Sequence, residues 1–172
     1  MKNENFIKKV CCYYLFLLMT TATTHSIQFF NADAASADDL IPLSTGQTLY
    51  VPAYSHIYYG DREVPILLTI TLSIRNVDTN HSITVNYADY YGTKGDLIKR
   101  YAEQPVILKP LESIRYVIPQ KDRSGGSGAN FMVEWKSEKA VNAPIIESVM
   151  IGTEGQQGIS FTSRGQVITT SN

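Results

Sequence analysis

Apolar and polar residues alternate along most of this chain beyond its first forty positions. Leu68, Ile70, Leu72 and Ile74 are apolar, and Thr69, Thr71, Ser73 and Arg75 between them are polar. A period of two puts one face of a strand in a core and the other in water, the pattern of an antiparallel sheet. Asn76 to Asn80 supplies turn residues, and Ile83, Val85 and Tyr87 resume the alternation. Tyr91-Gly92-Thr93-Lys94-Gly95-Asp96 reads as a hairpin turn with two glycines, from which Leu97 to Tyr101 returns. Pro105 and Pro110 bracket Val106 to Leu108, which suits an edge or crossing segment. Ile114, Tyr116 and Ile118 alternate and stop at Pro119, and Phe131, Val133 and Trp135 alternate with Met132, Glu134 and Lys136. Pro144 opens Ile145 to Ile151, Gly158 opens Ile159 to Ile168, and Leu49 to Tyr59 starts the domain as a strand rich in tyrosine. No window keeps helical spacing for three turns.

These segments predict an all-β fold, an antiparallel β-sandwich with an immunoglobulin-like arrangement of about eight strands. A small barrel is the competing closure. The expected core is Leu68, Ile70, Leu72, Ile74, Val85, Ile114, Tyr116, Val133 and Trp135. Residues 47–168 form the expected sandwich, 38–46 a lead-in and 169–172 a frayed tail.

The first 37 residues carry a different pattern. Lys2, Lys8 and Lys9 form a basic start, Val10 to Met19 is apolar and uncharged, and Ala35-Ser36-Ala37 offers a small-residue cleavage site before Asp38. Basic, then apolar, then small is the layout of an export signal, so the chain is expected to be exported to the periplasm or cell envelope. An uncleaved anchor is the alternative, because Val10 to Phe30 is about as long as a bilayer is thick. Membrane contact is expected only through that segment if it is retained. Both cysteines, Cys11 and Cys12, lie within it, so a mature chain would have no thiol or disulfide. A lipid anchor on either cysteine is disfavoured, because the apolar stretch follows them rather than preceding them.

Residues 38–172 suffice for one domain that folds without a disulfide or metal. Their net charge is −2, with acids and bases interspersed. There is no basic run to hold nucleic acid.

Three stretches could carry chemistry. Asp122-Arg123-Ser124-Gly125-Gly126-Ser127-Gly128-Ala129-Asn130 concentrates glycine, which frees backbone for positive φ or close approach. A phosphate cradle would need a lysine and a following helix, and a nucleophile elbow would need a further glycine and a helix. Neither pattern is complete, and the plain reading is a long hairpin. Ser55 to Glu63 gathers His56, Tyr58, Tyr59, Asp61, Arg62 and Glu63, where the plain reading is a solvated strand end and a charged turn. Gly155-Gln156-Gln157-Gly158 leads into a segment holding Arg164, its plain reading a simple hairpin. Metal binding is poorly supported: His56 and His81 are the only histidines beyond residue 37, and Ile83 stands where a calcium loop starting at Asp78 would need glycine. No cofactor is expected.

The same stretches carry a family resemblance. Gly46-Gln47-Thr48 with Tyr50-Val51-Pro52 and Tyr54 to Tyr58 resembles the opening of bacterial domain-of-unknown-function family 3124. Leu72 to Asn76, Asp122 to Phe131 with Val133-Glu134-Trp135, and Gly155 to Gly165 resemble its later blocks. The resemblance implies a bacterial exported protein and brings no activity, substrate or cofactor.

The sequence therefore points to a non-enzymatic β-sandwich that binds an envelope protein or a small ligand through loops at one end. The ligand-binding candidates are His56, Tyr58, Asp61, Arg62, Asp122, Arg123, Asn130 and Arg164, with no catalytic residue assigned. Two other readings stand beside it: an envelope structural protein that pairs through a strand edge, and a hydrolase, which would need a Ser–His contact from His56 or His81. Oligomeric state is not legible.

Overall fold

The computed structural model describes residues 42–61, 63–153 and 158–171. The expected export signal, Arg62, and Gly155, Gln156 and Gln157 lie outside the described residues. Twelve strands follow one another among them: β1 (Ser44–Pro52), β2 (His56–Tyr59), β3 (Val64–Leu67), β4 (Thr69–Arg75), β5 (Ile83–Tyr91), β6 (Leu97–Arg100), β7 (Val106–Leu108), β8 (Ser113–Ile118), β9 (Asn130–Val141), β10 (Ile145–Gly152), β11 (Ile159–Arg164) and β12 (Gln166–Ser171). They make an antiparallel β-sandwich. One sheet has six strands in the order β12-β1-β9-β5-β6, with β7 also on β5. The other runs β11-β10-β4-β8, and β2 pairs with β3 as a separate hairpin. No helix long and apolar enough to cross a membrane occurs among the described residues.

The alternation fixes the core. Leu68, just before β4, and Ile70, Leu72 and Ile74 within it join Phe131, Val133 and Trp135 of the other sheet in one core cluster, all of them fully buried. Ile114 and Tyr116, expected in the core, are only half-buried. Both still pack against the core from its margin, on the strand that ends the four-stranded sheet among the described residues, and Tyr116 also meets Tyr101 at 5.3 Å.

Three expectations about strand layout change. Tyr87 does not continue the inward face of β5, because the pairing with β9 slips between Val85 and Tyr87. That bulge adds one residue and hands the inward face to Ala88 and Tyr90. Leu49 to Tyr59 is two strands, since the chain leaves β1 at Pro52 and turns into the β2–β3 hairpin. Ile159 to Ile168 is likewise two, because the chain crosses from one sheet to the other at Gly165. A side chain there would meet the Ile146 carbonyl and Val51 at 3.1 Å. Among the described residues the strands therefore number twelve rather than about eight. Both ends of the domain also reach further than expected: β1 opens at Ser44 inside the expected lead-in, and β12 runs to Ser171 through the expected tail.

Candidate functional site

The chain enters one end of the sandwich at Ala53, where β1 stops. Ala53 N–H donates to the Ala129 carbonyl at 2.9 Å, and Ser55 N–H donates to Gly126 O at 3.0 Å. The Ser55 hydroxyl reaches the same carbonyl at 3.1 Å. From the other side Thr93, in the β5–β6 turn, sends its N–H and its hydroxyl to Gly125 O, both at 2.9 Å. Thr93 Oγ1 in turn accepts the Gly128 N–H at 3.0 Å. The triple-glycine loop is thus clasped from two sides, and the carbonyls of Gly125 and Gly126 are turned inward and taken.

Glycine is required here for close approach. A side-chain carbon on Gly125 would fall 2.8 Å from the Ala129 methyl and overlap the Tyr90 hydroxyl beneath it. That hydroxyl is buried with no hydrogen-bond partner among the described residues. Burial raises the Tyr90 pKa, and the nearby Asp122 charge raises it further. Tyr101 is raised by the same two causes in the same order. Between the β5–β6 turn and the loop lies a cavity of about 240 Å³ whose walls include Thr93, Lys94, Asp96, Ile98 and Ser124.

The candidate residues distribute unevenly around this end. His56 opens β2, half-buried. Its Nδ1 lies 3.3 Å from the Ser55 hydroxyl and its Nε2 3.3 Å from the Tyr58 hydroxyl, the two rings meeting edge to face at 5.3 Å. Tyr58 is 52% exposed and Asp61 sits on the exposed turn beyond it, where Gly60 takes φ 63° and Glu63 takes φ 51°. Arg123 is exposed on the loop. Asn130 starts β9 between Pro52 and Tyr91. Asp122 Oδ1 accepts the Ser124 N–H at 2.9 Å and the Ser124 hydroxyl at 2.6 Å, and among the described residues no arginine pairs with it. Arg164 is not at this end. The β10–β11 ladder begins with Gly152 opposite Ile159, close to Leu68, and Arg164 pairs with Glu147 at its other end. That is about 17 Å down the strands.

Ser55 and Thr93, which hold the loop, were not among the candidates. They act across 71 and 32 residues of sequence, and no local pattern marks such partners. A second polar cluster gathers around Asp78, which the sequence marked only as the start of an incomplete calcium loop. Asp78 accepts the N–H groups of Asn80 and His81 at 2.9 Å and that of Asn142 at 3.2 Å. Those backbone donors hold its carboxyl at about 2, well below the usual range. Among the described residues, the two histidines contact Ser55 and Tyr58 in one case and Asp78 in the other. The Ser55 hydroxyl is buried and already donated to Gly126, which leaves it poorly placed as a nucleophile.

The family described as "Protein of unknown function (DUF3124)" matches residues 46–168. The chain belongs to the DUF3124 family. The match spans this DUF3124 domain from β1 into β12, taking in both the clasped loop and the β2–β3 hairpin. No curated protein matches the DUF3124 chain. Among solved structures it is similar to the crystal structure of Thermotoga maritima 1070, at 13% identity over 73% of this chain and 97% of that one, with a TM-score of 0.44.

Proposed function

We propose that this DUF3124 protein is an exported, non-enzymatic binding module whose contact surface is the clasped end of the sandwich. The observation that carries the reading is the double hydrogen bond from Ser55 to Gly126 O. It fastens the loop bearing Arg123 to the strand that begins with His56 and leads to Tyr58 and Asp61. Two segments rich in charge and aromatic side chains, distant in sequence, thereby share one surface on a rigid base. Loops held this way on a sandwich suit recognition, because the scaffold bears the cost of ordering them.

The chemistry on offer is a guanidinium and phenols, with the glycine carbonyls already taken. Such a surface suits a polar partner that presents a carboxylate or phosphate to Arg123 and a flat face to the tyrosines. The partner is an envelope protein or a small ligand of the envelope. Export rests on the Lys8-Lys9, apolar and Ala35-Ser36-Ala37 layout. The test is recovery of a partner from the envelope fraction with a tagged chain. Arg123→Ala should abolish recovery while moving the melting temperature little, since an exposed loop arginine contributes little to stability. A large loss of stability would make Arg123 structural, and unchanged recovery would remove the loop from the surface; either result overturns the reading.

A further inference from the structure

Among the described residues, every side chain of β12 is exposed, and the strand pairs only with β1. A sheet edge of this kind is an open row of backbone donors and acceptors, and soluble proteins normally blunt it with charge, proline or brevity. The other edges follow that rule. β6 carries Lys99 and Arg100, β8 Arg115, β11 Arg164 and β3 Pro65, while β2 and β7 have four and three residues. β12 reads Gln166-Val167-Ile168-Thr169-Thr170-Ser171, six residues with neither charge nor proline. Its one protective device is a bulge: the register slips opposite Thr48 and Leu49 and leaves Ile168 as the extra residue. A bulge ordinarily turns an edge away from pairing. Here it carries an apolar side chain that is 54% exposed, beside Val167 at 41%.

A hole lies next to this knob. Where the chain crosses between sheets at Gly165, a cavity of about 200 Å³ opens, walled by Leu49, Ala143, Pro144, Ile146 and Val167, with Arg164 also in its lining. Knob, hole and bare edge therefore belong to one patch. A two-fold interface needs that arrangement, because each copy must offer on the same surface both what it inserts and what receives it. An uncharged strand also meets its own copy without setting like charges opposite each other, which a strand carrying a lysine would do.

We infer that β12 pairs antiparallel with β12 of a second copy, joining the two six-stranded sheets, and that an apolar side chain of the Val167–Ile168 pair enters the other copy's cavity at Gly165. Backbone hydrogen bonds supply the attachment and the cavity supplies the register, as in strand addition generally. This surface is separate from the clasped end, so the two readings fail independently.

Sedimentation of the purified chain over a range of concentrations tests the inference. The wild type should approach twice the chain mass, and Val167→Lys and Ile168→Lys should each weaken the dimer at least about tenfold, with melting temperature unchanged at dilutions where every protein is monomeric, each side chain being exposed in the single copy. Should either variant fail to fold, Thr170→Lys and the wild-type amide exchange replace it: amides of β12 should gain protection as concentration rises. A wild type that stays monomeric throughout overturns the inference. So does a dimer indifferent to all three lysines, or β12 amides whose exchange ignores concentration.

Discussion

Replacing Gly125 with alanine puts a methyl group into space already filled by Tyr90. The added carbon would lie 2.6 Å from Tyr90 Cζ and 2.8 Å from the Ala129 methyl, nearer still to the Tyr90 hydroxyl. Gly125 is not one of the glycines at positive φ, so the effect is steric alone. Tyr90 cannot retreat: it is 1% exposed and packs on Phe131 with ring centres 5.0 Å apart. The loop cannot lift without straining the two Thr93 bonds to Gly125 O. Overpacking costs about 1–3 kcal/mol, and each bond lost adds about 0.5–1.5 kcal/mol. Gly125→Ala should therefore destabilise the domain by about 3 kcal/mol, or a fall of about 10 °C in melting temperature for a domain of this size.

The reasoning has a second arm that separates it from general fragility of the loop. The Tyr90 hydroxyl is buried without a partner among the described residues, so Tyr90→Phe should be neutral or stabilising by about 1 kcal/mol. It also removes the closest clashing atom, so Gly125→Ala should cost at least about 1 kcal/mol less when combined with Tyr90→Phe, a coupling usual for residues in contact. Urea unfolding followed by fluorescence measures all four proteins of the cycle, since the single tryptophan, Trp135, is buried in the core. A Tyr90→Phe protein destabilised by more than about 1 kcal/mol would mean the hydroxyl has a partner. A Gly125→Ala cost below about 0.5 kcal/mol, the range of an innocuous surface change, would mean the clasp is soft.

Leu72→Ala should cost about 2–5 kcal/mol by denaturant unfolding, since the side chain is wholly buried between the sheets; a loss below about 1 kcal/mol would contradict that placement. Asp78, held at about 2 against an ordinary 3.8 by backbone donors, should stabilise the fold above pH 4 and progressively less as pH falls toward 2. Against Asp78→Asn, the wild-type advantage should accordingly be flat from pH 5 to 7 and shrink in acid; an advantage that grows on acidification would reverse the sign and refute the assignment. Intact-mass measurement on the envelope fraction should find an N-terminus at Asp38, and a species retaining Met1 would favour the uncleaved anchor.

How far the sequence could be read depended on whether a strand keeps one phase. The apolar residues of β4, and those of β9 as far as Trp135, hold their alternation, so these buried apolar sets were legible residue by residue. β5 does not: the extra residue at Asn86 shifts its second half by one, and nothing in Ile83 to Tyr91 announces the shift. Gly165 did leave a sign, a lone glycine inside an apolar run, which commonly marks a corner. At the candidate site, the charged and glycine-rich segments were visible as composition, and the Ser55–Gly126 link brings two of them to one end. Arg164 was misplaced because a strand about 17 Å long carried it away from the turn that drew attention to its segment.

The clasp also changes what glycine does in the loop. Three glycines suggested backbone laid open to a ligand, yet the Gly125 and Gly126 carbonyls face inward to Thr93 and Ser55, and the missing side chain at Gly125 leaves room for Tyr90. The glycines let the loop lie flat on the end of the core, and in the proposed reading recognition falls to the side chains it carries outward. β1 links both proposed surfaces: Ala53, just past its end, fastens the loop, and Thr48 faces the bulge of β12, about 17 Å away. Sites this far apart with no shared partner act additively. A chain carrying both Arg123→Ala and Ile168→Lys should thus show each single defect undiminished. A dimer lost on Arg123→Ala alone would mean that one surface, and not two, is at work.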